Sequence, residues 1–176
     1  VASSLADAAA YSEILSGVSD DPVHFERLAF NHPLFILFSS GTTGIPKCIV
    51  HGAGGTLLQH LKEHQLHSNN GENDRVFYFT TLGWMMWNWL ISSLAVGATV
   101  VLYDGNPNYP HWGAMWKLAQ EEKITIFGCS ASYINYLRSV GAMPGKEYDL
   151  SSLREISQTG SPLSVEGFEY AYREIK

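Results

Sequence analysis

The chain has 176 residues, 45% hydrophobic, 12% aromatic and 16% charged, which excludes a disordered, highly charged polypeptide and specifies a folded core. At roughly 150 residues per domain, that length suits one domain or one large piece of a bigger one. Lysine and arginine number 11 against 17 acidic residues, a net charge of −6 with no basic run, so neither a nucleic-acid partner nor a membrane partner is expected.

In chain order, Ser3 or Ser4 can cap a first helix reaching about Ser16, which Gly17 and Ser19-Asp20-Asp21-Pro22 end with turn chemistry. This stretch carries Asp7 and Glu13 and has no basic start before an apolar run, unlike a signal peptide. Residues 1–32 read as a leading helix and linker-like segment, and residues 33–176 as a partial domain. Leu34 to Phe38 is a short, continuously apolar run opened by Pro33, the pattern of a strand buried on both faces. Four segments repeat the theme: Cys48 to Val50, Val76 to Phe79, Thr99 to Tyr103 and Ile124 to Phe127. Between them Thr56 to His67, Met85 to Ala95, Trp112 to Glu122 and Ser132 to Val140 have helical length and spacing. Alternating strands and helices predict an α/β fold with a largely parallel sheet and flanking helices. The longest apolar region, Trp84 to Val101, is interrupted by Asn88, Ser92, Ser93 and Gly97, short of the roughly 18 unbroken residues of a membrane span. Leu163 to Lys176 reads as a helix with Phe168, Tyr172 and Ile175 on one side and no stop signal after it, so the domain is expected to be truncated there. Two cysteines far apart, Cys48 and Cys129, give no disulfide framework and suit a reducing, cytoplasmic compartment.

The segment richest in chemistry is Ser39-Ser40-Gly41-Thr42-Thr43-Gly44-Ile45-Pro46-Lys47, directly after the first strand. Its glycines let the backbone approach an anion closely, its hydroxyls donate, and Lys47 adds a mobile positive charge. Together they can cradle a polyphosphate; a plain Gly/Ser/Thr surface turn is the simpler alternative. It is not the P-loop of nucleoside triphosphatases, because Lys47 precedes the strand-like Cys48-Ile49-Val50 and does not open a helix. A hairpin loop is expected to hold the phosphates.

Phe38 to Lys47 resembles the phosphate-binding signature of the adenylate-forming superfamily, and the similarity extends over Pro33 to about Glu166. His51-Gly52, Thr80 to Asn88 and Val101 to Pro107 resemble the acetoacetate-activating ligases of its acetyl-CoA synthetase-like branch. Acetyl- and propionyl-specific members carry a Trp-Val-Thr-Gly type sequence where this chain has Trp84-Met85-Met86-Trp87, a departure that bears on substrate choice. The resemblance implies a ligase using ATP with Mg2+, CoA as co-substrate and acetoacetate: the carboxylate attacks the α-phosphate, and the CoA thiol then displaces AMP. It also implies that Ser39, Ser40, Gly41, Thr42, Thr43, Gly44 and Lys47 bind the ATP phosphates. Gly160, Ser161 and Pro162 would contact adenine, while Trp84, Met85, Met86 and Thr159 would line the acyl and pantetheine pocket. The superfamily's magnesium, ribose and catalytic-lysine motifs match nothing up to Lys176, so no catalytic residue or metal ligand is assigned and the isolated chain is expected to be inactive. The rival reading is a non-catalytic nucleotide- or anion-binding module using the same loop.

Several residues have plainer readings. Trp84, Trp87 and Ile91 form a helical stripe that packing alone could explain; the resemblance moves Trp84 to the site and leaves Trp87 in the core. Thr159 to Pro162, taken alone, is a turn after the strand Arg154 to Ser157. His60, His64 and His67 share roughly one helix face, but with no fourth ligand indicated they read as packing residues, as do His51 and His111. Cys48 reads as a buried strand thiol.

Overall fold

The computed structural model of the chain describes residues 8–18, 21–39 and 44–176. The candidate cap at Ser3 or Ser4, the turn residues Ser19 and Asp20, and the loop residues Ser40, Gly41, Thr42 and Thr43 lie outside the described residues. Helix α1 (Tyr11–Ser16) is shorter than its pattern suggests. Ala8 to Ala10 are not helical, and the Glu13 carboxylate accepts from the Ala10 N–H at 3.2 Å, fixing the start.

Strands β1 (Pro33–Ser39) and β2 (Lys47–Gly52) pair antiparallel with Ser39 opposite Lys47, so the Gly/Thr segment does bridge a hairpin. The expectation that β1 is buried on both faces fails. The hairpin is a separate two-stranded sheet with one face left uncovered by the described residues, and Leu34, Ile36 and Phe38 are 45%, 59% and 67% exposed. Its base is hooked to the chain by Ala53 N–H to His32 O and Gly54 N–H to Phe30 O, both 2.8 Å. Cys48 is likewise exposed rather than buried, because no described residue covers its side of β2.

Helix α2 (Ala53–Lys62) runs into a widened π turn over Glu63–His67. That turn breaks the face the three histidines would have shared: His60 and His64 are buried and His67 is exposed. Strand β3 (Arg75–Tyr78), helix α3 (Met85–Ser92) with a 3-10 turn to Val96, and strand β4 (Thr99–Val101) follow. Helix α4 (Ala114–Glu121), strand β5 (Ile126–Ser130) and helix α5 (Ala131–Ser139) come next. After a single-turn α6 (Pro144–Glu147), which no sequence pattern had marked, come β6 (Glu155–Thr159) and α7 (Val165–Tyr170), capped by Ser164. Among the described residues no helix is long and apolar enough to cross a membrane.

The main sheet has the order β4-β3-β5-β6, all parallel, as the alternation of strands and helices predicts. In β3 and β5 the apolar run means burial on both faces, because alternate side chains enter two different cores. Phe77 and Phe127 join Trp116, Tyr133, Ile134 and Leu137 from α4 and α5 on one side. Val76, Tyr78 and Ile126 meet Trp89 and Leu90 of α3 on the other. Trp116 stacks on Phe127 with ring centroids 4.3 Å apart, a contact worth about 1 kcal/mol beyond its buried area. In α3 the core is built by Trp89 and Leu90, whereas Trp87 and Ile91 are only half-buried. The expectation for Trp87 is corrected by this rotation of the helix.

The strand N-termini are tied by charge. Arg154, one residue before β6, donates through Nε to Asp74 Oδ1 (3.0 Å), through Nη1 to Ser68 O (2.6 Å), and through Nη2 to Asn69 O (3.1 Å) and Asn70 Oδ1 (2.9 Å). Asp74 also accepts the Thr125 hydroxyl at 2.8 Å and the Gly71 N–H at 2.9 Å. Burial alone would raise the Asp74 pKa, but these hydrogen bonds and the adjacent guanidinium outweigh it and hold the carboxyl below its ordinary value. A depressed folded-state pKa adds stability above the unfolded value of about 3.9 and loses it as pH falls through the folded value. Asp74→Asn should therefore cost about 1–2 kcal/mol at neutral pH, discounting for the partly exposed arginine. Urea unfolding from pH 7 down to pH 2 checks it, with the stability gap between parent and variant closing below about pH 4.

Candidate active-site cleft

The chain leaves β3 for β4 on one side and then crosses to β5 on the other, so the connections diverge between β3 and β5. In open parallel sheets a ligand crevice forms at such a point, beyond the carboxyl ends of the strands. A cleft of about 520 Å³ lies there, within the usual range for small-ligand sites. Tyr78, Phe79, Thr80 and Thr81 enter it from the end of β3, Cys129 and Ser130 from β5, and Thr159 and Gly160 from β6. Trp84, Met85 and Met86 close it from the start of α3.

Five of the residues expected at the site thus meet in one place: Trp84, Met85, Met86, Thr159 and Gly160. Trp84 sits at the N-cap of α3 in extended backbone, its N–H bonded to Thr81 O at 3.0 Å, which leaves the indole 69% exposed at the rim. Thr159 is the last residue of β6, opposite Ser130. Gly160 then turns the chain with φ +91°, a conformation that any other residue would adopt under strain. Ser161 and Pro162 are exposed beyond that turn and do not line the cleft. Ser39, Gly44 and Lys47 stand at the hairpin tip, also outside the lining. Lys47 is exposed with no ion-pair partner among the described residues, and Gly44 has φ +83°. A cation with no ion-pair partner among the described residues, close to a glycine turn, suits a polyphosphate; the hydroxyls of Ser40, Thr42 and Thr43, which precede that turn, fall outside the described residues.

Among the residues that escape the sequence reading are Tyr78, in the cleft wall, and Gly128, against which its ring packs. The Tyr78 ring lies flat across β5 at Gly128, where a Cβ would come within 2.0 Å of Tyr78 Cδ2. A glycine inside an apolar strand is the one available signal of such a close approach. The phenol oxygen is 3.1 Å from Cys129 O and 2.9 Å from Thr159 Oγ1, joining the ends of three strands. Burial pushes the Tyr78 pKa up, with the Thr159 hydrogen bond opposing, so the phenol stays protonated. Burial likewise pushes the Cys129 thiol up to about 12, which removes it as a nucleophile. A second cleft, of about 530 Å³, shares Tyr78, Met85, Met86 and Thr159 with the first.

Two of the histidines, His64 and His111, do structural work. His64 Nε2 donates to Trp89 O at 3.0 Å, so Nδ1 accepts from the Asn70 amide at 3.0 Å. Burial, against the pull of the Trp89 carbonyl and nearby carboxylates, lowers its pKa and keeps the ring neutral. His111 Nδ1 accepts the Gly113 N–H at 3.0 Å. Among the described residues no cluster of three or more His, Cys, Asp or Glu could hold a metal ion.

The family profile described as AMP-binding enzyme matches residues 3–175. The chain belongs to this family. Over 165 residues it is 57% identical to the acetoacetyl-coenzyme A synthetase of Rhizobium meliloti (strain 1021), covering 94% of this chain and 25% of that protein. It is 46% identical over 176 residues to the malonamoyl-CoA synthetase of Penicillium aethiopicum, covering 92% and 24%. The solved acetoacetyl-CoA synthetase from Streptomyces lividans superposes with a TM-score of 0.83 at 46% identity, over 92% of this chain and 25% of that one. The chain therefore spans about a quarter of the length of these AMP-binding relatives, and its α/β fold is that of part of a domain.

Gly128→Ala forces the Tyr78 ring off the cleft wall and should destabilise the protein by about 2–3 kcal/mol. Combining it with Tyr78→Leu should recover much of that loss, because the leucine no longer occupies the space. A double-mutant cycle in urea measures the coupling.

Proposed function

We propose that this chain is the part of an acid–thiol ligase that carries the phosphate-binding hairpin and most of the acyl pocket, with residues 33–176 as the domain piece and 1–32 as its leading segment. A carboxylate oxygen attacks the α-phosphorus of ATP, the bond to pyrophosphate breaks, and acyl-AMP results. The CoA thiol then attacks the acyl carbon and AMP leaves. The single observation carrying this reading is the apolar cleft at the divergence point of the sheet in a member of the AMP-binding family.

In this reading Ser39 to Gly44 and Lys47 hold the ATP phosphates, neutralising charge as it grows on the leaving pyrophosphate. Magnesium would arrive with the nucleotide and supply further charge stabilisation; no described residue is assigned to it. Gly160, Ser161 and Pro162 border the adenine. Trp84, Met85, Met86 and Thr159 enclose the acyl group and exclude water from the reactive mixed anhydride. Two free cysteines suit a reducing, cytoplasmic setting, and the partners are small molecules.

The relatives' names narrow the acid. Acetoacetyl and malonamoyl groups both carry a carbonyl on the third carbon, and acetoacetate is the acid we propose. Flexible methionines at 85 and 86 leave room for that extra group.

The full-length protein carrying this chain should release pyrophosphate only when the carboxylate is present; release of ADP and inorganic phosphate would sink the proposal. Lys47→Ala should lower adenylation efficiency by about one to two orders of magnitude, the value of a charge-assisted hydrogen bond of roughly 1.5–3 kcal/mol. Folding should be spared because Lys47 is exposed. Equal pyrophosphate release rates for variant and parent would reduce Lys47 to a solvated charge.

A further inference from the structure

The wall shared by the two clefts ends in a pair of hydroxyls whose protons can be counted. Tyr78 Oη has two neighbours, Cys129 O at 3.1 Å and Thr159 Oγ1 at 2.9 Å. The carbonyl only accepts. If Tyr78 donates to it, Thr159 must donate to Tyr78, and the threonine then turns only lone pairs toward the cleft. If Tyr78 donates to Thr159 instead, the threonine proton is released to the cleft. The two states differ by a rotation of each O–H and no movement of heavy atoms.

The rest of the geometry makes this pair a reader of one group. Tyr78 is 5% exposed, laid over Gly128 and edge-on to Trp89 at 6.1 Å, so the phenol is fixed while Thr159 is open to the cleft. Trp84, Met85 and Met86 offer the opposing wall no strong donor to an acyl oxygen apart from the rim indole. Ser130 Oγ accepts the Tyr133 N–H at 3.2 Å at the start of α5 and keeps its own proton, but Thr159 is the cleft hydroxyl coupled to a buried phenol. A ligand carbonyl beside Thr159 selects the state with the free proton. A methylene at the same place returns nothing and strips water from the threonine oxygen.

We propose that Thr159 donates a hydrogen bond to the oxygen on the third carbon of a 3-oxo carboxylate and that Tyr78 is the positioning residue that orients the Thr159 hydroxyl. The inference rests on the ligase reading and adds how that site recognises its acid. The role assigned to Tyr78 is exerted through Thr159. The phenol acts by accepting or donating one proton, and so sets which face of Thr159 the substrate meets.

The test uses the full-length ligase and compares kcat/KM for acetoacetate and butyrate, read as carboxylate-dependent pyrophosphate release, in the parent, T159V, T159S and Y78F. T159V keeps the shape and removes the hydroxyl, so the acetoacetate-to-butyrate ratio should fall at least about tenfold. T159S keeps the hydroxyl and should hold the ratio within about threefold of the parent. Y78F should lower the ratio at least about threefold, chiefly through a higher KM for acetoacetate, whereas a merely structural tyrosine would depress both acids alike and leave the ratio where it was. A T159V ratio equal to the parent's, with both acids still activated, overturns the hydroxyl assignment and leaves the ligase reading standing. A parent that releases no pyrophosphate with any of these acids overturns the ligase reading and this inference with it.

Discussion

One guanidinium organises the lower end of the sheet. Arg154 reaches four acceptors on the segment between α2 and β3 and on Asp74, so the start of β6 is joined to the approach of β3 across the intervening strand β5. Asn70 relays the connection to His64, which hydrogen-bonds the backbone of α3. A single planar donor set thereby links β6, β3 and the helix that covers one face of the sheet. Arginine suits this position because its fork satisfies backbone carbonyls and a carboxylate together, which a lysine ammonium would do with poorer geometry.

The strands are tied by charge at their amino ends, and the cleft opens beyond their carboxyl ends. The same strands are pinned at the upper end by a neutral contact, the Tyr78 phenol, which can rearrange its hydrogen bonds without disturbing the backbone. Rigid charge below and adaptable hydroxyls above is the distribution a binding site needs, since the first holds the walls and the second meets the ligand.

Much of this was legible in the sequence where the apolar period was unambiguous. The continuous runs at Val76 to Phe79 and at Ile124 to Phe127 mark the two strands buried on both faces, with the second displaced by two residues because Lys123 takes a positive φ and delays the strand to Ile126. The equally apolar Leu34 to Phe38 became an exposed hairpin strand. Composition cannot tell which sheet a strand joins, since that depends on pairing partners distant in sequence. Trp84 was found at the cleft through resemblance, whereas helical spacing alone put Trp84, Trp87 and Ile91 together and missed Trp89. Tyr78 was hidden because a tyrosine in an apolar strand looks like any core aromatic. Its partnership with Gly128 and Thr159 exists only once β3, β5 and β6 lie side by side.

The hairpin stands apart from all of this. It shares no strand pairing with the four-stranded sheet and is anchored at its base to residues 30–32 and to α2. In the proposed enzyme, the group that grips the nucleotide's phosphates and most of the groups that measure the acid therefore belong to different sheets. Divergence can act on them separately: a lineage can reshape the acyl wall to accept a new acid while inheriting its phosphate grip unaltered. New chemistries of the acyl group would then require few coordinated changes, because the part common to every substrate is carried by a module that never has to be retuned.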